Sequence, residues 1–194
     1  FPDTYDFYEN STPRAALEKM LDGFEYRVKE DLRDQIPVLN ERLAEMMREN
    51  GDDEEFIAEN QFDIRDVVNV ASLIERETAS NQESYRIASV IYNRLFSWGD
   101  YPRLLNIDAT VIYALGGKTN LTSEDMTVDS PYNTYIYEGL TPGPIANPGL
   151  ASIEAALDPE DTAYYYYVLD PENGVHQFSK TLEEHEKKIK QLYG

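Results

Sequence analysis

The chain has 194 residues, of which 41% are hydrophobic and 12% aromatic, and it contains no cysteine. This length allows one sizeable core, or one domain with an appended subdomain. Seventeen basic residues against 37 acidic ones give a net charge of −20. So acidic a chain is not expected to bind nucleic acid, because phosphate contacts need a basic surface. The lack of cysteine excludes disulfides, thiol catalysis and zinc–thiolate sites.

The first 60 residues predict an arm and a helical hairpin. Residues 1–8 are rich in aromatics and predict a strand or an extended arm, and Pro13 is placed as in the first turn of a helix. A second helical stretch, interrupted by Pro37, covers residues 30–50, and residues 51–55 break it. We therefore predict an N-terminal arm and helical hairpin subdomain over residues 1–60 and a main domain over residues 61–194.

The sequence contains no apolar run long enough to span a membrane and no signal peptide. Its acidity also argues against charge-driven adsorption to anionic lipid. The chain opens on Phe1-Pro2-Asp3 without a methionine, so we expect it to be a fragment of a longer protein. Any membrane contact is expected only through an anchor N-terminal to it.

Residues 67–78, VVNVASLIERET, predict the central helix of the chain. At about 100° per residue their apolar side chains fill one broad arc, and Glu75 and Glu77 lie inside that arc, one on each flank. A buried carboxylate costs several kcal/mol unless it is paired or protonated. Either each glutamate pairs with an arginine, or one pairs and the other is held protonated as a general acid. Periodicity alone does not say which is which.

Residues 83–98 predict the next helix, with Ile87, Ile91, Leu95 and Trp98 on one stripe. Arg94 on this helix is a natural partner for one of the two glutamates. Asp108 is predicted to be the N-cap of a short helix over residues 109–115.

The segment 129–149 contains four prolines among Asn, Thr and Tyr and predicts a long ordered loop. Such loops are usually functional, so we expect it to line a groove; the alternative is a packing loop under the core. After it we predict a helix to Leu157, a strand over 163–170, its hairpin partner over 175–179 and a last helix capped by Thr181.

Nothing in the sequence predicts a cofactor or a metal. The chain has no phosphate-binding loop and no nucleophile elbow. Its only histidines, His176 and His185, fall on a predicted strand and a polar helix, which does not favour a metal pair. The carboxylates and the Asn/Tyr/Thr loop remain as candidate chemistry.

Several segments together resemble the YceG-like, MltG-type endolytic murein transglycosylases. They are FPDTY (1–5), ASLIERET (71–78), VIYNRL (90–95), DATVIYALG (108–116), SPYNTYIYEGLTPGPIANPGLASIEAAL (130–157) and HQFSKTLEEH (176–185). The resemblance implies a helix-rich, lysozyme-like α+β catalytic domain with a small antiparallel sheet, acting on glycan strands of peptidoglycan without a cofactor. It also implies a location on the extracytoplasmic face of the bacterial membrane, an upstream anchor and cell-wall synthesis proteins as partners.

The resemblance further implies roles for individual residues. It makes Glu75 catalytic and leaves Glu77 as structural support, paired with Arg94. Where many members have Gln-Thr-Asp-Pro, this chain has Asn106-Ile107-Asp108-Ala109, so an amide is kept with a shorter reach. Aromatic rings suit sugar faces and amides suit N-acetyl groups, so the expected substrate-binding residues are Asn106, Asp108, Tyr132, Asn133, Thr134 and Tyr135.

The chemistry expected of such an enzyme needs one carboxyl group. Glu75 would protonate the oxygen between N-acetylmuramic acid and N-acetylglucosamine, then accept the proton of the muramoyl C6 hydroxyl as a 1,6-anhydro ring closes. Two alternatives remain open: a peptidoglycan-binding scaffold module without turnover, and a lysozyme-type hydrolase that uses Glu75 with Asp108 and water. A pyridoxal phosphate lyase is disfavoured, because Lys118 lies in a turn without a preceding strand.

Overall fold

A computed structural model of the protein describes residues 1–78, 80–96, 99 and 102–194, except for the side chains of residues 30 and 31. It confirms the helix-rich α+β class, with one small antiparallel sheet among the described residues. The helices are α1 (Pro13–Arg27), α2 (Glu30–Arg33), α3 (Ile36–Asn50), α4 (Glu54–Glu59), α5 (Ile64–Glu77), α6 (Ser84–Phe96), α7 (Asp108–Ala114), α8 (Leu150–Leu157) and α9 (Leu182–Tyr193), with a 3₁₀ turn at Asp125–Thr127. The strands are β1 (Tyr166–Asp170) and β2 (Val175–Ser179).

Helix α5 lies at the centre of the fold. It begins at a reciprocal capping box, in which Asp63 accepts from the Asp66 N–H and Asp66 accepts from the Asp63 N–H. Its side chains from Val70 to Ile74 are buried, and the helix packs against α6, α7 and α8. The helix ends at Glu77, so both glutamates lie in its last turn.

Helix α6 and helix α3 complete the core around α5. The predicted stripe of α6 is buried at Ile87, Ile91 and Leu95, whereas Trp98 lies outside the described residues. Leu39 and Met47 of α3 are fully buried and belong to the same hydrophobic cluster as α5 and α6. A domain boundary near residue 60 stays a prediction.

The two strands form a hairpin against which α9 packs. Tyr166 pairs with Ser179 and Asp170 with Val175, and the turn between the strands contains Gly174 at a φ of 66°. The Thr181 hydroxyl caps α9 by accepting from the Glu184 N–H. This hairpin lies next to the end of α5, since Tyr167 of β1 contacts Glu77.

One local prediction was wrong and one alternative is removed. Residues 1–8 form no strand, which leaves the extended arm. Asp108 is not an N-cap: α7 begins at Asp108, Ile107 is in the cap position, and no side chain caps the helix. The reason is that the Asp108 carboxylate accepts instead from the Tyr135 hydroxyl. None of the helices among the described residues combines the length and the apolar character needed to cross a bilayer.

Candidate active site

A cavity of about 400 Å³ opens where the end of α5 meets α7, the β1–β2 hairpin and α9. It contains both charged and aromatic side chains. Its lining is Glu77, Arg94, Leu105, Asn106, Asp108, Tyr135, Tyr165, Tyr166, Tyr167, Leu182 and His185. The structure thereby brings together Glu77, Arg94, Asn106, Asp108 and Tyr135 from the residues predicted from the sequence.

Glu77 is the partly buried acid of this cavity. Its Oε2 accepts a hydrogen bond from the Tyr167 hydroxyl at 2.8 Å. Burial raises the pKa of the Glu77 carboxyl, and the nearby charge of Asp108 raises it further. The Tyr167 hydroxyl, His176 and the Ala109 N–H oppose this rise without cancelling it. Glu77 therefore holds its proton to a higher pH than an ordinary glutamate does.

Asp108 and Tyr135 form the opposite polar edge of the cavity. The Tyr135 hydroxyl donates to Asp108 Oδ1 at 2.5 Å. Burial and the Asp108 carboxylate raise the pKa of Tyr135 well above its ordinary value. Tyr135 is therefore a neutral donor, and Asp108, which remains exposed, keeps one oxygen free of that bond.

Arg94 is buried, with 8% of its surface exposed. Its guanidinium donates to the carbonyls of Tyr165, Leu104 and Leu105, and to Asn106 Oδ1 at 2.8 Å. It also lies over the Tyr166 ring. The predicted pairing of Arg94 with Glu77 is not among the contacts of the described residues. Among the described contacts, the Tyr167 hydroxyl bonds to Glu77, and Arg94 fixes the backbone of the cavity wall.

Asn106 has an uncommon backbone conformation, with a φ of 54°. Asparagine adopts this left-handed region more readily than most residues do. Its N–H donates to the Thr134 carbonyl at 3.0 Å, and its side chain is held by Arg94. The amide of Asn106 thus lines the cavity from a fixed position.

Glu75 has different surroundings. It is exposed, and its Oε2 accepts from the Gly149 N–H at 3.0 Å and from the Ser152 hydroxyl at 2.7 Å. Gly149 is the N-cap residue of α8, where unpaired backbone N–H groups favour a negative charge. Glu75 therefore connects the end of α5 to the start of α8, and it is not among the residues that line the cavity.

The centre of the long loop is buried. Asn133 is fully buried; its amide group donates to the carbonyls of Met126 and Val128, and its Oδ1 accepts from the Tyr135 N–H. Thr134 is 2% exposed, and its hydroxyl accepts from the Ile107 N–H. Neither side chain faces the cavity, so at these two positions the loop packs under the surface, which is the alternative considered from the sequence.

Tyr132 is partly buried and lies outside the cavity. Its ring centroid is 4.9 Å from that of Tyr113, and Tyr113 is exposed. The two rings form an aromatic patch on the surface beside the loop.

The far side of α5 holds the same loop in place through polar side chains. Asn69 donates to the Thr141 carbonyl at 2.7 Å and accepts from the Thr141 hydroxyl at 2.9 Å. The Ser72 hydroxyl accepts from the Ile145 N–H at 3.0 Å. These side chains are buried, so the helix contacts protein on its polar face as well.

Sequence reasoning missed Tyr166, Tyr167, His185 and Ser152. For the run of four tyrosines at 164–167 the sequence pattern predicts only a strand. In a strand alternate side chains point to opposite faces, and the run places a hydroxyl within reach of Glu77. The histidines are separate: His176 faces Glu83 with its Nδ1, and His185 stacks on Tyr166 at 5.2 Å.

Comparisons with known proteins show the family of the chain. The model of the YceG-like family matches residues 1–191. An endolytic murein transglycosylase of Bacillus subtilis (strain 168) is 38% identical over 192 residues, which are 96% of this chain and 51% of that protein. One of Streptococcus pneumoniae (strain D39) is 30% identical over 187 residues, 93% of this chain and 33% of that protein.

A solved structure is also similar. The crystal structure of a YceG-like protein of Listeria monocytogenes superposes with a TM-score of 0.77 and 35% identity, covering 97% of this chain and 53% of that one. This chain thus spans about half the length of the Bacillus and Listeria proteins and a third of the Streptococcus protein. The match extends from the N-terminal arm to α9, so the chain belongs to the YceG-like family.

Proposed function

We propose that this chain carries the catalytic site of an endolytic murein transglycosylase, and that Glu77 is its acid and base. The observation that carries the proposal is a carboxyl group with a raised pKa in a cavity lined by tyrosines and an amide. A general acid must hold its proton near neutral pH. The names of the Bacillus and Streptococcus relatives support the reaction class.

The reaction uses one carboxyl group twice. Protonated Glu77 gives its proton to the oxygen between N-acetylmuramic acid and N-acetylglucosamine, and the bond from that oxygen to muramoyl C1 breaks. The Glu77 carboxylate then accepts the proton of the C6 hydroxyl, whose oxygen bonds to C1. Glu77 is protonated again, a 1,6-anhydro end forms, and no water is consumed.

Glu77 is preferred over Glu75 because of their contacts. The resemblance assigned the catalytic role to Glu75, but Glu75 is exposed and its described hydrogen bonds go to Gly149 and Ser152. These two bonds tie the Glu75 carboxylate to the start of α8 and away from the cavity lining. Glu77 has lost much of its solvent and accepts one hydroxyl bond.

The cavity offers neutral contacts to a sugar. Tyr135 is held as a neutral donor, and burial together with the charge of Arg94 lowers the pKa of His185, so its imidazole is neutral near pH 7. Asn106 supplies an amide for an N-acetyl group, and Tyr166 supplies a ring face. A chain with a net charge of −20 cannot attract an acidic wall polymer by charge, so binding rests on these contacts.

A hydrolase is the second candidate. It is favoured by Asp108, an exposed carboxylate whose charge acts on Glu77 across the same cavity. Hydrolases place a second carboxylate opposite the acid to serve as nucleophile or to activate water. Tyr135 already donates to Asp108, which weakens it as a base.

The substrate places the proposed activity outside the cytoplasm, at the cell wall. We extend the proposal to attachment at the extracytoplasmic membrane face through a segment outside this chain, and to contacts with cell-wall synthesis proteins.

Mass spectrometry of products from purified peptidoglycan tests the reaction type. Internal cleavage that leaves 1,6-anhydro ends, one water lighter than reducing ends, is the expected result. Reducing ends of full mass that disappear in Asp108→Asn would make the protein a hydrolase. Binding to peptidoglycan without any product would make it a scaffold module.

A further inference from the structure

A buried acid–histidine pair lies behind Tyr167. Glu83, just before α6, accepts from the His176 backbone N–H at 2.5 Å, and its second oxygen is 3.2 Å from His176 Nδ1. Only 10% of the Glu83 side chain and 8% of the His176 side chain are exposed. A carboxylate so far from water needs partners, and both described partners of Glu83 belong to His176.

The pair reaches Glu77 through one ring. The imidazole of His176 meets the Tyr167 ring edge to face, with centroids 5.3 Å apart and planes at 87°. The Tyr167 hydroxyl donates to Glu77 Oε2 at 2.8 Å. The series Glu83, His176, Tyr167 and Glu77 therefore links the start of α6, β2, β1 and the end of α5.

The charges along this series act on the acid. The Glu83 carboxylate faces Nδ1 of the His176 imidazole. A positive His176 lowers the pKa of Glu77, in opposition to the burial that raises it. The His176 ring also lies 6.4 Å from the Phe178 ring on its own strand, and the Arg86 guanidinium of α6 lies over that Phe178 ring.

We propose that Glu83 and His176 are positioning residues for Glu77. They fix the Tyr167 ring at the angle from which its hydroxyl donates to Glu77, and so control how readily Glu77 gives up and regains its proton. Neither residue lines the cavity, so neither is expected to touch the glycan. This inference rests on the proposed function of Glu77.

The test is a direct titration of Glu77 by carbon-13 NMR of the protein labelled at its glutamate carboxyl carbons. The spectrum of Glu77→Gln assigns the Glu77 signal. In His176→Gln the titration midpoint of Glu77 should move to higher pH, since a positive charge and the support of Tyr167 are both lost. Glu83→Gln keeps the side-chain volume and should move it in the same direction by less.

Glu160→Gln is the matched control. Glu160 forms an ion pair with Arg86 of α6, the helix that follows Glu83, but this pair is exposed. Removing the Glu160 charge should therefore leave the titration midpoint of Glu77 unchanged. In peptidoglycan turnover, His176→Gln should lower kcat about tenfold with KM within about twofold, since an interaction acting on the chemical step is lost.

The outcomes separate the two proposals. A purely structural pair would lower the melting temperature of both variants while leaving the Glu77 midpoint where Glu160→Gln leaves it, and this would overturn the inference. If His176→Gln does not fold, the Glu83→Gln midpoint decides. If the variants shift the Glu77 midpoint but the wild-type protein forms no anhydro product, the proposed function is rejected and the positioning role is kept.

Discussion

The two flanks of the last turn of α5 carry the same residue type in opposite surroundings. On one flank Glu75 reaches the start of α8, stays exposed and accepts from Gly149 and Ser152. On the other flank Glu77 reaches β1, loses much of its solvent and accepts from Tyr167. Two residues apart on one helix, the first is suited to hold a loop and the second to hold a proton. The neighbours, not the residue type, determine which carboxyl can act as an acid.

Glu77→Gln tests the cost of burying this acid, and we expect the largest stability effect there. The folded protein holds the Glu77 proton more tightly than the unfolded chain, whose pKa is near 4.5. The free energy of unfolding therefore falls as the pH rises from that value through the raised folded pKa. Glutamine has no proton to lose, so above this window the variant should be more stable, by about 1.4 kcal/mol for each pH unit of the rise.

Urea unfolding of both proteins over a pH series measures this gain, which should disappear near and below pH 4.5. A variant less stable than the wild type throughout the neutral range would contradict a raised pKa at Glu77.

Tyr167→Phe removes the hydroxyl that supports the Glu77 carboxylate. Because that hydrogen bond lowers the pKa of Glu77, its loss should move the basic limb of the kcat/KM profile to higher pH. The rate on the plateau should fall about tenfold, as expected for one hydrogen bond to a charged group. Tyr164→Phe removes a hydroxyl from the same tyrosine run and should leave the limb in place. Equal pH profiles of kcat/KM for the two variants would contradict a role of the Tyr167 hydroxyl in setting the pKa of Glu77.

Ser152→Ala acts on the opposite flank. It removes the 2.7 Å hydrogen bond to Glu75, so the free energy of unfolding should fall by about 1 kcal/mol. The pH profile of turnover should keep its shape, because the Glu77 cavity is unchanged. Chemical unfolding and turnover of the same preparation check both statements. A loss of turnover with unchanged stability would place this flank in the chemistry.

Asp108→Asn should change the rate only within a few-fold, unless Asp108 serves as a second catalytic carboxylate. The Asp108 charge raises the pKa of Glu77, so its removal should move the basic limb to lower pH, opposite to the effect of Tyr167→Phe. The pH profile of kcat/KM measures this direction. Complete loss of turnover would instead favour the hydrolase.

Local elements were predictable from the sequence because their signals are local. The apolar arc of α5, the hairpin and the start of α9 at Thr181 all depend on neighbouring residues. The same periodicity limits the candidates for the general acid to Glu75 and Glu77. It does not distinguish between them, because it contains no information about which elements pack against the two flanks of the helix.

The rest of the site depends on contacts between distant parts of the chain. The Tyr167 hydroxyl reaches Glu77 across 90 positions, and no spacing rule predicts that meeting. Asn133 was expected in a groove because amides suit sugars, but a buried amide can equally hold a turn by bonding to carbonyls, as it does here. Composition does not distinguish these uses. The predicted N-cap role of Asp108 was also wrong. Its carboxylate accepts a hydrogen bond from Tyr135, a residue 27 positions away, which local sequence does not predict.

The most direct test of the account is to digest purified peptidoglycan with Glu75→Gln and Glu77→Gln in parallel and to quantify 1,6-anhydro ends by mass spectrometry. Both variants keep the shape of the side chain and remove one carboxyl group. We predict that Glu77→Gln loses about 10²- to 10⁴-fold in rate, the usual contribution of a general acid, while Glu75→Gln still forms anhydro ends within about tenfold of the wild type. The reverse order would contradict the account and return the catalytic role to Glu75.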